Sequence, residues 1–218
     1  MVTISHVVQK LVNDQPCVLE AIDQEIISYS ALAKKIQPDI EKELEKKIKT
    51  HAIIMALHRY EHTLKQKHTP ITFDYHSEII LKTDVCDISV RRSLTLFDTV
   101  KKLYDIVHFE NGDILNIIHG RGEVSIVTNE RYRQQTIDFL KKEDIINVEK
   151  NLVCLTLTFP QEYLRTPGVI FQIARSLSWE NINIFEIVST NTELSLIINK
   201  TDAIKGYTTL EKMMKTSP

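Results

Sequence analysis

Apolar residues recur at helical spacing through the first third of the chain. Ile4, Val7, Val8, Leu11 and Val12 fall on one face and predict a first helix. Pro16 suits the opening turn of a second, short helix carrying Val18, Leu19 and Ile22. Ser28 or Ser30 can cap a third, with Leu32, Ala33 and Ile36 inward, and Pro38-Asp39 is expected to open a fourth. Its apolar positions run through Ile40, Leu44, Ile48, Ile53, Leu57, Tyr60 and Leu64, with a change of helix allowed near Lys46–Thr50, where Thr50 can act as the cap. The polar stretch Lys65–Pro70 marks the expected boundary, so residues 1–68 form an all-helical domain.

Beyond it, strand-like runs alternate with amphipathic helices, and the pattern repeats once. The first copy reads as a strand over Glu78–Val90 and a helix capped by Ser93 or Thr95, in which Thr95 and Asp98 resemble a capping box. Leu96, Val100, Leu103, Tyr104 and Val107 line its inner face. Strands Ile114–Ile118 and Glu123–Thr128 follow across a Gly-containing turn, then a helix over 129–142 and a strand over 144–150. The second copy comprises strand Leu152–Phe159, helix Pro167–Glu180, strands Ile182–Ser189 and Glu193–Asn199, and a helix from Thr201 to about Met214. Each copy is a ferredoxin-like βαββαβ arrangement, spanning 69–150 and 151–218, and the fold class is α+β. The second copy ends before a terminal strand. If Ile71–Leu81 supplies it, the two units interlock.

Composition narrows the function. A formal net charge of −2 on 218 residues gives no global attraction to nucleic acid or membrane. The three cysteines, Cys17, Cys86 and Cys154, are odd in number and far apart, which argues against a disulfide framework or zinc site and for a reducing compartment. The N-terminus carries no secretory pattern, and no apolar run is long enough to span a membrane, so the expected location is the cytoplasm. Gly-rich phosphate loops, nucleophile elbows and paired metal motifs are absent, so neither a catalytic residue nor a cofactor is expected. His58 and His62 stand at metal-ligand spacing but lack a third partner.

Thr166-Pro167-Gly168-Val169-Ile170-Phe171-Gln172-Ile173-Ala174, then Asn181-Ile182-Asn183-Ile184, then Ser189-Thr190 and Glu193-Leu194-Ser195, together resemble the ACT domain, in particular the tandem regulatory region of aspartokinases. The resemblance is specific over 152–199. Over 77–150 the element order matches without the motifs, and the kinase portion has no counterpart. Ser28-Tyr29-Ser30-Ala31-Leu32-Ala33 and Ala52–Tyr60 resemble the helical front end of archaeal ACT-containing proteins described as regulators of amino-acid metabolism. The resemblance implies an amino-acid ligand held between units, and a homodimer.

The residues offer a physical basis for such a ligand. A helix start with Pro167 at its first position and Gly168 beside it leaves N–H groups free for a carboxylate, and Arg165 just upstream adds a bidentate grip. Asn181 and Asn183 can bond an ammonium or side chain. The candidate ligand-binding set is therefore Arg165, Thr166, Pro167, Gly168, Val169, Asn181, Ile182 and Asn183. The plain alternative is a well-made helix start that binds nothing. Phe171 and Trp179 fall off the stripe of Val169, Ile170, Ile173, Ala174 and Leu177, which points to an interface. In the helical domain, a helix-turn-helix would place Lys46, Lys47, Lys49, His51 and Arg59 against DNA. Against this, residues 1–68 hold ten Lys and Arg and nine Asp and Glu, a near balance that also fits a solvated mixed-charge surface. A non-enzymatic regulator acting on DNA, or docking on a biosynthetic enzyme, are the two outputs this leaves.

Overall fold

The computed structural model describes residues 3–65, 78–160 and 166–215. It divides into two compact units, Met1–Pro70 and Ile71–Pro218.

In the first unit, α1 (Ile4–Asn13) is capped by the Thr3 side chain, which accepts the His6 N–H. Helix α2 (Pro16–Asp23) opens on its proline, and α3 (Tyr29–Leu44) is capped by Ser28. Helix α4 (Thr50–Lys65) packs against α1 and α3. Val7, Val8, Val12, Ile22, Leu32, Ala33, Ile36, Ile40, Ile53 and Leu57 form the core.

Pro38 does not open a helix, contrary to the sequence expectation; it lies inside α3. A proline there costs about 3 kcal/mol. Pro38 is exposed, while Ile36 and Ile40 on either side of it are buried. Keeping both on the core face is worth about 1.5–3 kcal/mol each, enough to outweigh the lost bond. The helix ends instead at Glu45, whose φ of 50° is left-handed. The loop to α4 is then pinned by side chains. The Glu41 carboxylate accepts the Ile48 N–H at 2.9 Å and the Gln37 amide at 3.0 Å. Gln37 also donates to the Ile48 carbonyl at 2.9 Å, and the Thr50 hydroxyl donates to Gln37 at 2.9 Å.

The second unit is a six-stranded antiparallel sheet in the order β2-β3-β1-β4-β6-β5. The chain runs β1 (Ile79–Arg91), α5 (Leu96–Lys101), β2 (Leu115–His119), β3 (Glu123–Asn129), α6 (Arg133–Phe139), β4 (Ile145–Thr158), α7 (Val169–Trp179), β5 (Ile184–Ser189), β6 (Glu193–Asn199) and α8 (Ala203–Lys215). With the first unit this makes eight α-helices among the described residues, an α+β molecule.

The two long strands change partners along their length. Val85–Arg91 of β1 pairs with β3, whereas Ile79–Lys82 lies against Leu157–Cys154 of β4. Conversely, Leu152–Thr158 of β4 pairs with β6, and Ile145–Glu149 of β4 lies against Val90–Asp87 of β1. Each strand is therefore central in one βαββα module and an edge in the other. The two strands predicted over 144–150 and 152–159 are in fact this one strand, β4. Asp84 and Asn151, with φ of 58° and 56°, sit where the strands change role. Of the range considered for the missing strand, Ile79–Leu81 occupies that edge; 71–77 lie outside the described residues.

Helices cover one face. Ile88, Val90, Val124 and Ile126 pack under α5 and α6 with Leu96, Val100 and Leu140. Val153, Leu155, Leu157, Leu196 and Ile198 pack under α7 and α8 with Ile173, Leu177 and Leu210. On the other face the sheet curls. Val85, Val127, Leu152, Cys154 and Ile197 are buried with Ile118 of edge strand β2 and Phe185 of edge strand β5.

Helices α5 and α6 are shorter than expected. The Thr95–Asp98 capping box does not form: Ser93 Oγ accepts the Leu96 N–H at 3.0 Å, and Thr95 donates to Glu143. After Lys101 the chain tightens into successive i→i−3 bonds, from Lys102 to Ile106. At three residues per turn the phase shifts, so Leu103 stays buried but Tyr104, expected on the inner face, is 55% exposed. The helix predicted over 129–142 is a 3₁₀ turn, Glu130–Tyr132, followed by α6.

Candidate functional site

Helix α7 begins at Val169, not at Pro167 as expected. Gly168 is its N-cap, with φ of 96°, a left-handed conformation that a helical first turn cannot contain. Pro167 therefore precedes the cap. Thr166, Pro167 and Gly168 are exposed, and the Gly168 cap has no side chain of its own to accept an amide, so the first turn keeps the partial positive charge of a helix start. Arg165 lies outside the described residues. The Val169 side chain is buried in the core beneath, so only its backbone belongs to this rim.

The other end of α7 is a Schellman closure. The Ile182 N–H donates to the Leu177 carbonyl at 3.0 Å and the Asn181 N–H to the Ser178 carbonyl at 2.9 Å, with Asn181 at φ 56°. Asn181 thus has a conformational role, since asparagine tolerates the left-handed region better than most residues. Ile182 is 5% exposed and packs with Leu177, as the closure requires. Its N–H is committed to the Leu177 carbonyl and its side chain faces the core. Asn183 is exposed. The two halves of the predicted site are separated by the helix itself, about 16 Å at 1.5 Å per residue. Within one module they do not converge, and a ligand touching both has to lie between modules or copies.

On the outer surface of α7, Phe171 is 50% and Trp179 78% exposed. Ile170, expected in the core stripe, is also 46% exposed. In the helical unit, Lys46, Lys47 and Lys49 project from the pinned α3–α4 loop, His51 lies in the first turn of α4, and Arg59 donates to Ser5 Oγ at 3.3 Å. His58 stacks near Tyr29, ring centroids 4.3 Å apart, and its Nδ1 lies 3.4 Å from Glu61; no cluster able to hold a metal exists among the described residues. Burial pushes the Cys86 thiol up to about 12, which leaves it unreactive.

A polar cavity of about 320 Å³ lies where β1 changes partner, lined by Lys82, Thr83, Asp84, Asn111, Asp113, Asn129 and Arg131. Its rim is tied by hydrogen bonds. Asp113 accepts from the Arg131 guanidinium and from the Tyr132 hydroxyl, and Asn129 Oδ1 accepts the Ile114 N–H at 2.9 Å. The bond from Arg131 holds the Asp113 carboxyl below its ordinary range, and the bond from Lys200 does the same for Asp84. Gly112 has φ of 71°, a left-handed turn that favours glycine, and the Lys82 ammonium lies beside it, 3.4 Å from where a Cβ would be. None of these residues stood out in the sequence. They come from the middle of β1, the turn before β2 and the end of β3, and only strand pairing gathers them.

No protein-family model matches the chain, and no curated protein matches it by sequence. Solved structures do match by shape. The ligand-free regulatory subunit of aspartate kinase from Thermus thermophilus aligns with a TM-score of 0.50 at 13% identity, over 62% of this chain and 95% of that one. The aspartate kinase regulatory subunit from Thermus flavus gives 0.52 at 14% identity, over 65% and 98%. Aspartate kinase from Clostridium acetobutylicum gives 0.52 at 17% identity, over 66% of this chain but 36% of that one. At such identities the likeness is one of fold: this chain shares the α+β architecture of aspartate kinase regulatory subunits.

Proposed function

We propose that this chain is a non-enzymatic regulatory protein that senses an amino acid through its two βαββα modules. The observation that carries the reading is the strand exchange between β1 and β4, in a fold shared with aspartate kinase regulatory subunits. Modules that each complete the other's sheet cannot rearrange independently, so a ligand that favours one arrangement acts on both. The domain plan is a helical output domain over 1–68 and sensing units over 69–150 and 151–218. The α7 start at Gly168 and the exposed Asn183 are surfaces for a ligand shared with a second copy, the chain acting as a homodimer with Phe171 and Trp179 in the contact.

A thermal-shift screen of the common L-amino acids tests the sensing role. A ligand at a hundred times its Kd stabilises the fold by about 2.7 kcal/mol, so a specific amino acid has to raise Tm in a concentration-dependent way. No shift with any amino acid removes the proposal. The output is separable. Phosphate contacts from Lys46, Lys47 and Lys49 imply DNA retention that falls steeply with salt. Retention that is absent at low salt leaves docking on a biosynthetic enzyme as the output.

A further inference from the structure

We infer that the polar cavity at the break in β1 is a seat for the amino acid within a single chain, bound as its zwitterion. This rests on the sensing role proposed above and places it at residues outside the α7 ends. The cavity is near the lower limit of small-molecule sites, about 300–1,000 Å³, which suits a small metabolite. Its lining carries two cationic groups, Lys82 and Arg131, and two carboxylates, Asp84 and Asp113, so it complements a ligand that carries both signs. Among the described residues the Lys82 ammonium has no carboxylate partner, whereas Arg131 is committed to Asp113 and remains 56% exposed. The ligand carboxylate sits against Lys82 and the outward edge of Arg131, with the Asn111 and Asn129 amides beside it.

Asp84 receives the ligand ammonium. It is now held by Lys200, 2.8 Å away, in a pair with both side chains more than half exposed. Such a pair contributes little by itself, so a ligand ammonium displaces Lys200 readily. Lys200 belongs to the 3₁₀ turn between β6 and α8, in the second module, while the cavity lining comes from β1 and the first module. Exchange of partners at Asp84 therefore releases a contact between modules, which gives the bound and free states the difference in contacts that a signal requires.

Calorimetric titration of the full chain with the amino acid giving the largest thermal shift tests this. Lys82→Ala and Asn111→Asp, the second adding a negative charge without truncation, are expected to weaken Kd by about tenfold or more, and Lys82→Arg by no more than about threefold. Asp84→Asn is expected to weaken the amino acid but not the matching acid without its amino group. If the amino acid binds the wild type and Kd in both Lys82→Ala and Asn111→Asp stays within about twofold, with circular dichroism unchanged, this seat is overturned and sensing stands. If no amino acid binds the wild type, both fall.

Discussion

Asp87 and Glu186 put carboxylates on the helix-free face of the sheet, and their environment sets a measurable pH dependence. Ser125 Oγ donates to Asp87 Oδ1 at 2.6 Å, yet burial still pushes the Asp87 carboxyl above its ordinary range; burial and then the Asp87 charge do the same to Glu186. Both groups hold a proton more readily folded than unfolded. The folded state therefore gains stability as pH falls through their folded values, and the gain is complete below the unfolded values. Asp87→Asn keeps the Ser125 acceptor and removes the charge. Its urea midpoint at neutral pH is expected to equal or exceed that of the wild type, with a smaller rise on acidification; a clearly lower midpoint refutes the assignment. Glu41 behaves oppositely. The Ile48 N–H, then the Gln37 amide, depress its carboxyl, so its contribution is present above the unfolded value and lost as pH falls through the folded one. Glu41→Ala should lower the urea midpoint at pH 7 and converge with the wild type in acid. The sequence offered no sign of either environment, because alternation along a strand names a face and not the groups that meet on it.

At the scale of elements, α7 separates a conformational requirement from a chemical one. Asn181→Gly preserves the left-handed closure, while Asn181→Ala is expected to cost about 1–2 kcal/mol, read from chemical denaturation. If the Asn181 amide touches ligand, the glycine variant loses affinity without losing stability; if affinity is unchanged, the residue serves the turn alone. Gly206 shows how closely α8 approaches the sheet. A Cβ there would meet Ile198 Cδ1 at 2.8 Å and Leu155 Cδ1 at 3.1 Å. Gly206→Val is expected to destabilise by about 1–3 kcal/mol through overpacking, and an unchanged denaturation midpoint would contradict that packing. The helical stripe at Val169, Ile173 and Leu177 was legible from spacing alone, because a 3.6-residue period is a local property. The endpoints were less so. Pro38 looked like a start until Ile36 and Ile40 were seen buried on one face, and the stretch after Lys101 keeps a helical pattern while changing pitch.

At the scale of the whole molecule, the exchange of strands between β1 and β4 makes one module depend on residues that precede the other. A chain beginning at Val85 lacks Ile79–Lys82, the strand against Leu157–Cys154. It is expected to lose hydrogen-exchange protection at Cys154 and Thr156, whose amides face β1, while Val124 and Ile126, paired with β1 beyond the break, keep more of theirs. Equal protection in both regions would mean that the exchange contributes nothing to the fold. What the sequence by itself determined is local: helix stripes, strand alternation, turn chemistry, and a repeated order of elements that left one strand wanting. Only the tertiary structure decided that β4 is one strand with two roles, that the ends of α7 point away from each other, and that Lys82, Asp84, Asn111 and Arg131 surround one cavity. The reason is that a period of two states which face a side chain takes and is silent about which strand lies beside it. Pairing across tens of residues is decided by which arrangement buries the apolar faces together, and that is a property of the assembled sheet.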